Sequence, residues 1–347
     1  MKPYNVAIVG ATGYTGSELI RILTPHPSVN IHALTSNSNA GQKVVDIHPQ
    51  FKSLLDANTE LISIDSLNYD ELDLILLALP HGVSMDFVKN TDYSRCKIVD
   101  LSGDFRLDSP QIYEKWYGMK HQFIQGFNDA VYGMPELFRD EIKKARLIAN
   151  PGCFPTGSIL SLAPLVSKGA IKSDSIIVDA KTGITGAGAK PKLNTHFPNA
   201  SENFSAYGLK KHRHTPEIMG TVSRFTGVEM SVTFTPHLLP VNRGILSTIY
   251  ADGTGISSDE EINAIYTKFY KDEPFIRIVD TPPTLQQVRG TNYCDIFSTY
   301  DERTNKVICI SVIDNLVKGA AGAAVQNMNL ALGLDEREGL TLMPAMP

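Results

Sequence analysis

The sequence predicts an α/β protein built from two domains. The first observation is the length, because 347 residues exceed the roughly 100–200 residues that one domain usually contains. The second is an alternation of apolar runs and helical stretches up to residue 150, and the third is a change to β-rich segments beyond it. We predict a dinucleotide-binding domain over 1–150, completed by a C-terminal helix in 315–347, and a catalytic and substrate domain over 151–314.

The first domain is predicted to contain a parallel sheet with helices on both faces. Short apolar runs are typical of buried parallel strands, and apolar residues at helical spacing follow the first of them. Strands that alternate with helices favour a parallel sheet. The predicted strands are "YNVAIVG", "NIHALTS", "LDLILLALP" and "CKIVDLSG", and the first helix is "SELIRILTPHP".

The second domain is predicted to be α+β with a mixed sheet, because strands follow one another with short connections. One amphipathic helix, "DEEINAIYTKFYKD", interrupts them. The small residues of "LVKGAAGAAVQNMNLALGL" predict a last helix that packs closely. The predicted strands are "SIIVDAKTGITGAG", "MSVTFTPHLLP", "GILSTIYADG", "FIRIVD", "YCDIFSTYDE" and "KVICISVID".

Composition and charge exclude several classes of protein. A net charge of −5 and a pI near 6.0 argue against a general nucleic-acid-binding surface. No apolar run approaches the roughly 20 residues of a membrane span. The N-terminus enters a strand without a signal peptide, so we expect a cytoplasmic protein. The four cysteines form no C-x-x-C pair and zinc-type spacing is missing, so we expect no metal.

The stretch "VGATGYTGSEL" places three glycines between the first strand and the first helix. Glycines here let the backbone approach a pyrophosphate, which then lies on the positive N-terminus of the helix. The pattern predicts a Rossmann-type dinucleotide site; the alternative is a tight turn that binds no ligand. We expect cofactor contacts from the whole loop: Gly10, Ala11, Thr12, Gly13, Tyr14, Thr15 and Gly16.

The end of the second strand favours NADP(H) over NAD(H). An NAD site usually carries an acid there, which binds the ribose 2′-hydroxyl. The stretch "LTSNSNAGQK" has no acid before Asp46, and it offers Ser36, Ser38 and, nearby, Lys43. Hydroxyls and a nearby lysine tolerate a 2′-phosphate that an acid would repel. The alternative is an ordinary polar loop.

Cys153 lies in "NPGCFPTGS", a turn that leads into the predicted helix "TGSILSLAPLV". A helix N-terminus or a neighbouring imidazolium lowers the pKa of a cysteine and produces a reactive thiolate. Cys153 is therefore the candidate nucleophile, and a buried structural cysteine is the alternative. Cys96, Cys294 and Cys309 lie in apolar strands, where we expect structural roles.

The stretch "KKHRHTPEI" supplies a proton-transfer partner for a thiol. If the segment is extended, His212 and His214 lie on the same side. We expect one of them to act as an acid and base and the other to help bind an anion. A solvated basic loop and a metal-binding pair are the alternatives.

Arginines in several polar segments suggest that the ligand carries a carboxylate or a phosphate, which the guanidinium fork matches. Arg106 lies in "DLSGDFRL", just beyond a strand end, and Arg243 lies in "TPHLLPVNRG". Surface salt bridges and turns are the alternative explanation.

Taken together, these motifs resemble those of the N-acetyl-γ-glutamyl-phosphate reductases, within the aspartate-semialdehyde dehydrogenase-like group. The resemblance extends along nearly the whole chain, and "NPGCFPTG" with "HRHTPEI" is its most specific part. Two positions depart from the family: many relatives have arginine in place of Asn37, and alanine is frequent in place of Gly103. The first departure affects the expected contact with a 2′-phosphate.

The resemblance implies a homo-oligomeric enzyme, a dimer or tetramer, that uses NADPH in arginine biosynthesis. It would reduce N-acetyl-glutamyl 5-phosphate to N-acetyl-glutamate 5-semialdehyde and phosphate through a thioester on Cys153. His214, with His212 as the second choice, would be the acid and base. The resemblance also adds cofactor contacts and substrate contacts, the former from Pro80, Gly157 and Asn315, and the latter from Arg106, Asn150, Lys181, Glu217 and Arg243.

Three alternatives remain open from the sequence. A sister acyl-phosphate reductase would act by the same chemistry on aspartyl phosphate or a carrier-linked aminoadipyl phosphate. A non-catalytic NADP-binding sensor would keep the glycines but would need neither Cys153 nor the histidines. A metal-dependent hydrolase using His212 and His214 is the third.

Overall fold

The computed structural model describes residues 2–345. Its strands, in chain order, are β1 Tyr4–Val9, β2 Val29–Thr35, β3 Leu74–Leu77, β4 Lys97–Asp100, β5 Val131–Tyr132, β6 Leu147–Ala149, β7 Ile176–Gly183, β8 Ser205–Ala206, β9 Val232–Leu239, β10 Ile245–Asp252, β11 Ile276–Ile278, β12 Cys294–Asp301 and β13 Lys306–Ile313. Its α-helices are α1 Tyr14–Leu23, α2 Val44–Ile47, α3 Val83–Lys89, α4 Pro110–Tyr117, α5 Ile124–Asp129, α6 Pro135–Lys144, α7 Cys153–Lys168, α8 Phe197–Ala200, α9 His214–Thr226, α10 Asp259–Phe269 and α11 Gly322–Leu332.

The chain forms two compact units. The first comprises the described chain up to Tyr113, together with Met119–Pro151 and Ala320–Thr341. The second comprises Glu114–Gly118, Gly152–Gly319 and the described chain from Leu342 onward. The two main divisions fall at 151/152 and 319/320, whereas the sequence placed them at 150/151 and 314/315. The sequence did not predict that Glu114–Gly118 and the chain from Leu342 onward belong to the second unit.

The first unit contains a six-stranded sheet in the order β2-β1-β3-β4-β6-β5, and every neighbouring pair is parallel. The prediction of a parallel α/β sheet is confirmed. The direction of strand progression reverses at β1, which lies between β2 and β3. The carboxyl ends of strands at such a reversal form the crevice in which open α/β sheets bind ligands.

The second unit contains a seven-stranded sheet in the order β11-β12-β13-β10-β7-β9-β8. Two pairs are parallel, β7 with β9 and β11 with β12, and the others are antiparallel, so the predicted mixed sheet is confirmed. Helix α7 covers one face, where Val178 and Ala180 of β7 are fully buried. On the opposite face Ile177 of β7 remains 42% exposed and Tyr250 of β10 remains 36% exposed.

Helix α7 runs for 16 residues, from an extended N-cap at Gly152 to a left-handed C-cap at Gly169. Pro164 lies inside it, and a proline cannot donate to the carbonyl four residues earlier. That carbonyl, of Leu160, accepts a hydrogen bond of 2.6 Å from the hydroxyl of Tyr270. The hydroxyl of Tyr270, at the end of α10, therefore supplies the hydrogen-bond donor that Pro164 cannot.

The C-terminal helix is shorter than the range 315–347 in which it was expected. A π-helical turn, Val317–Ala321, precedes α11, which ends where Gly333 adopts a left-handed φ of +75°. From Leu334 to Ala345 the chain contains no helix, and residues 346–347 lie outside the described part. Helix α11 belongs to the first unit, where the Nε2 of His26 contacts the amide oxygen of Asn329 at 3.2 Å.

Candidate active site

The glycine-rich loop joins β1 to α1 in the first unit, and two of its glycines are required by close contacts. Gly10 has φ +91°, and a Cβ there would lie 2.5 Å from the Ala78 carbonyl oxygen. A Cβ on Gly16 would lie 2.4 Å from the Gly10 carbonyl oxygen, whereas one on Gly13 would meet nothing nearer than 4.0 Å. The backbone near Gly13 is therefore open to a ligand, while Gly10 and Gly16 hold the turn closed.

Small polar side chains surround the end of β2 beside this loop. The Ser36 hydroxyl lies 3.5 Å from that of Thr12 and 3.4 Å from that of Ser38, and it donates to the Asn39 amide oxygen at 3.2 Å. No carboxylate takes part in these contacts. Hydroxyls, an amide and the open first turn of α1 fit a dinucleotide with a 2′-phosphate, so the residues suit NADP(H).

Cys153 is the first residue of α7, and the prediction that the turn leads into a helix is confirmed. Its side chain is partly exposed, whereas Phe154 beside it is buried. Cys153 and Phe154 occupy the first helical turn, where N–H groups have no acceptor within the helix. The positive end of the helix dipole and these N–H groups favour negative charge at the sulfur or on an oxygen bound to the neighbouring carbon.

Glu217 holds the turn that precedes the thiol. Its Oε1 accepts a 2.7 Å hydrogen bond from the Gly152 N–H, and the residue is only 1% exposed. The carboxylate thus caps the amide group immediately before Cys153. The structure brings Glu217 next to the thiol segment, although the sequence had suggested it for a substrate contact.

The two histidines meet beside Phe154, although the segment that carries them is not extended. His214 is the first residue of α9, and Arg213 before it has helical backbone angles. The His214 N–H donates to Nδ1 of His212 at 3.2 Å, and the two ring centroids lie 4.8 Å apart. The two rings are therefore brought together by a turn that leads into α9, and not by an extended segment.

The imidazole of His212 lies in a buried, aromatic environment. The ring of His212 contacts the rings of Phe154, Phe234 and Tyr207 at centroid distances of 5.3–5.6 Å. Burial, followed by the charge of Arg213, lowers the pKa of His212 to about 4. His212 is therefore neutral near pH 7, and because its Nδ1 accepts a hydrogen bond, its hydrogen lies on Nε2.

Sequence reasoning missed two residues beside the thiol. The Tyr207 ring lies 5.5 Å from that of His212, and burial, followed by the interaction with Cys153, raises the pKa of this phenol. A Cβ on Gly319 would lie 2.9 Å from the Cβ of Cys153, so only glycine leaves room for the nucleophile. The small residues around Gly319 signalled close packing, but nothing in the sequence pointed to Cys153 as the neighbour.

Arg243 and Asn315 are engaged by other groups of the second unit. The Arg243 Nε lies 3.0 Å from a carboxylate oxygen of Asp314, which is fully buried. The Asn315 amide accepts from the Gly244 N–H at 2.7 Å and donates to the Thr185 hydroxyl at 3.0 Å. These contacts order the loop between β9 and β10, and the expected ligand contacts of Arg243 and Asn315 stay predictions.

Lys181 is not brought to the thiol. Phe154 of α7 packs against Phe234, whose partner in β7 is Val178, so α7 lies on the face to which Val178 points. Lys181 is three residues further along β7 and points to the opposite face. There its Nζ lies 2.7 Å from a carboxylate oxygen of Asp179. Because successive side chains of a strand point to alternate faces, Lys181 and Cys153 lie on opposite faces of the seven-stranded sheet.

Asn150 and Arg106 are buried in the first unit. The Asn150 amide donates to the Ala320 carbonyl at 3.1 Å and accepts from the Asn327 amide at 3.0 Å, so it ties β6 to the C-terminal segment. Arg106 donates to the Leu101 carbonyl at 2.6 Å and is 6% exposed. Both residues support the backbone, and their expected substrate contacts are not tested by these bonds.

The remaining expected cofactor residues lie in different places. Pro80 is exposed in the loop that follows β3, at the carboxyl edge of the parallel sheet. Gly157 lies inside α7, where a Cβ would approach the Ser311 hydroxyl to 2.9 Å. Packing of α7 on β13 is therefore sufficient to explain a glycine at position 157.

In residues 2–345, no group of three or more His, Cys, Asp and Glu side chains is arranged to hold a metal ion. No helix in the described part of the chain has the length and apolar character needed to cross a membrane.

Comparisons with known proteins agree with this arrangement. Residues 5–145 match the family model of the semialdehyde dehydrogenase NAD binding domain, and residues 153–315 match that of the semialdehyde dehydrogenase dimerisation domain. Aspartate semialdehyde dehydrogenase II from Vibrio cholerae superimposes with a TM-score of 0.73 at 17% identity, covering 96% of this chain and 99% of that one. The enzyme from Candida albicans gives 0.69 at 18% identity, covering 95% and 98%.

Fold and thiol site together define a semialdehyde dehydrogenase-like protein, with a dinucleotide-binding unit and a thiol-bearing unit. Sequence relatives narrow the class. The N-acetyl-gamma-glutamyl-phosphate reductases of Desulfotalea psychrophila and Caldicellulosiruptor saccharolyticus are 46% and 48% identical, covering 99% and 97% of this chain and 99% and 98% of those proteins. The chain belongs to the N-acetyl-gamma-glutamyl-phosphate reductase family, and the family resemblance found in the sequence is confirmed.

Proposed function

We propose that the protein catalyses the NADPH-dependent reduction of N-acetyl-L-glutamyl 5-phosphate to N-acetyl-L-glutamate 5-semialdehyde and phosphate, a step of arginine biosynthesis. The observation that carries the proposal is the position of Cys153, a partly exposed cysteine at the first residue of α7. The other three cysteines are buried. Burial raises the pKa of the Cys96 and Cys309 thiols to about 12, so these two groups are unsuited to nucleophilic attack.

Cys153 acts as the nucleophile. Its sulfur attacks the acyl carbon of the substrate, the bond to the phosphate oxygen breaks, and phosphate leaves with the electron pair, giving a thioester. The glycine-rich loop, Ser36 and Ser38 would hold NADPH, which would supply the hydride that reduces the thioester carbonyl. The N–H groups of Cys153 and Phe154 are placed to stabilise the negative oxygen on the carbon attached to the sulfur.

The histidine pair moves the proton. One imidazole accepts the thiol proton before the attack and returns a proton when the hemithioacetal releases the aldehyde and restores the thiol. His212, neutral with hydrogen on Nε2, is suited to donate a hydrogen bond to an oxygen or to a thiolate. His214 remains our first choice for the acid and base, and both residues contact the ring of Phe154.

The reverse reaction tests substrate, cofactor and nucleophile together. N-acetyl-glutamate 5-semialdehyde, phosphate and NADP⁺ are supplied to wild type, Cys153→Ala and the control Cys96→Ala, and NADPH is measured by its absorbance. We expect activity in the wild type and the control, and a loss of at least about 10³-fold in Cys153→Ala, because the other three cysteines are buried. Equal rates in all three would contradict the thioester mechanism.

A panel of semialdehydes then measures acyl specificity. We expect the highest kcat/KM with N-acetyl-glutamate 5-semialdehyde; a preference for aspartate semialdehyde or for a carrier-linked aminoadipate semialdehyde would instead identify a sister reductase. If the protein binds NADP⁺ but turns over none of these semialdehydes, the non-catalytic NADP-binding sensor would be the remaining explanation.

We further propose that the chain works as a homo-oligomer, a dimer or a tetramer, formed through the open face of the seven-stranded sheet. The dimerisation-domain match and the exposed Ile177 and Tyr250 on that face support this proposal. The cytoplasmic location expected from the N-terminal sequence stays a prediction.

A further inference from the structure

A histidine outside the catalytic set contacts the glycine-rich loop. Nε2 of His48 lies 3.0 Å from the carbonyl oxygen of Ala11, and the two residues are 8% and 0% exposed. A carbonyl oxygen only accepts, so the His48 Nε2 carries a hydrogen and donates it. This bond joins two segments 37 residues apart in the sequence.

The bond fixes the orientation of one peptide group. In a planar trans peptide, the carbonyl of one residue and the N–H of the next point in opposite directions. With the Ala11 carbonyl directed toward His48, the Thr12 N–H points away from it. In residues 2–345 this N–H has no protein acceptor, whereas the N–H groups of Gly10 and Ala11 both donate to the Thr35 carbonyl, at 3.2 and 3.0 Å.

The segment that carries His48 is itself fixed. The ring of His48 packs edge-on against Phe51 with centroids 5.8 Å apart, and Phe51 is 4% exposed. Gln50, between them, donates to the Ser17 hydroxyl on α1 at 3.3 Å. The imidazole of His48 is thus fixed by packing against Phe51, while its Nε2 binds the glycine-rich loop.

We propose that His48 is a positioning residue of the dinucleotide site, which holds the Ala11 carbonyl so that the Thr12 N–H is presented to a pyrophosphate oxygen. The inference rests on the NADP(H) dependence of the proposed function. It extends the site beyond the glycine motif, to a histidine in "DIHPQF" that belongs to none of the motifs described above.

Two variants separate the hydrogen bond from the packing. His48→Phe keeps a ring against Phe51 but removes the donor, whereas His48→Gln loses the ring and keeps an amide that can reach the Ala11 carbonyl. Calorimetric titration of the purified proteins with NADP⁺ measures the Kd directly. We expect His48→Phe to raise the Kd roughly fivefold to tenfold, as expected for one lost hydrogen bond, and His48→Gln to stay within about twofold of wild type.

Steady-state kinetics of the reverse reaction give a second readout. The KM for NADP⁺ should rise in His48→Phe, while the KM for the semialdehyde and kcat at saturating NADP⁺ stay within about twofold. Thermal unfolding without ligand establishes that each variant is folded before binding is compared.

Three results would overturn the inference. Equal NADP⁺ affinity in wild type and His48→Phe would show that the donor does not matter. Equal weakening in both variants would show that the loss of affinity does not follow the hydrogen-bond donor. Absence of NADP⁺ binding by the wild type would remove the inference together with the cofactor assignment, whereas binding by the wild type with a failed His48 effect would leave the proposed function intact.

Discussion

Single residues in this protein divide into those that build the site and those with a group directed toward a ligand. Gly16 and Gly319 are required because they have no side chain. A methyl group at position 16 would enter the space of Gly10, and one at position 319 would enter the space of Cys153. Glu217 and Asn150 have polar groups engaged by backbone partners. Cys153 and the histidines remain the residues whose chemistry suits the reaction.

His212 gives a prediction about stability and pH. Its pKa is about 4 in the folded protein, lowered first by burial, against an ordinary value near 6.5. Between these values the unfolded chain binds the proton more strongly, so stability is lost as pH falls from about 6.5 toward 4, and it is retained above 6.5. We expect this residue to contribute about 2–3 kcal/mol to the loss, measured as the change in unfolding free energy in urea.

The His212→Asn variant isolates the contribution. Its stability should fall less than that of wild type between pH 7 and pH 4.5, while the exposed His196→Asn variant serves as the control and should follow wild type. Asp100, whose pKa is raised to about 6 by burial and by Asp104, acts in the opposite sense but titrates in all three proteins. Parallel pH profiles for wild type and His212→Asn would contradict the expected neutral imidazole.

At the scale of elements, helix α7 carries the thiol at one end and a proline in its interior. Pro164 leaves the Leu160 carbonyl without its helical donor, and Tyr270 supplies one at 2.6 Å in a buried site. The neighbouring Ser161 carbonyl accepts from the hydroxyl of Tyr266. The hydrogen bonds of α7 near Pro164 are therefore completed by Tyr266 of α10 and by Tyr270 at the end of α10.

Removal of the Tyr270 hydroxyl tests this dependence. Tyr270→Phe leaves a buried carbonyl unpaired, and we expect a loss of about 1–3 kcal/mol in unfolding free energy. Tyr300→Phe is the matched control, because its hydroxyl bonds to Asn305 at an exposed site where water replaces it. Both are measured by urea unfolding at neutral pH. Equal stability of the two variants would mean that the Leu160 carbonyl finds another donor.

The same elements explain what the sequence could and could not predict. The helix start at Cys153 was predictable because turn residues and helical spacing are local signals. The sequence aligned His212 and His214 only on the condition that their segment is extended. The turn that the structure has instead is held by the hydrogen bond from the His214 N–H to the His212 ring, which depends on side-chain packing. The cap of Gly152 by Glu217 joins residues 65 positions apart, and no local pattern indicates such a pair.

At the scale of the whole molecule, recognition of the family depended on motifs distributed over both units, and the comparisons confirm it at 46% identity over 345 residues. Placement of the basic residues did not follow from motifs. Lys181 and Arg243 each have a carboxylate partner, Asp179 and Asp314, which a single sequence does not reveal. Charge pairs of this kind are settled by the sheet register and by loop packing, which are tertiary properties.

The open face of the seven-stranded sheet leads to a prediction about assembly. β7 is an interior strand of this sheet, yet Ile177 on it is 42% exposed, and Tyr250, its partner across the pair with β10, is 36% exposed. Apolar side chains on one uncovered face of a central strand mark a protein interface. A charge at this position would be desolvated by a partner surface and so would oppose association. We expect Ile177→Lys to shift the mass measured by light scattering from an oligomer to the 38.0 kDa chain, while Ile177→Val, which keeps an apolar side chain, remains oligomeric. A wild type that is already monomeric would contradict the proposed homo-oligomer, and an Ile177→Lys variant that keeps the wild-type mass would place the contact between copies on another surface.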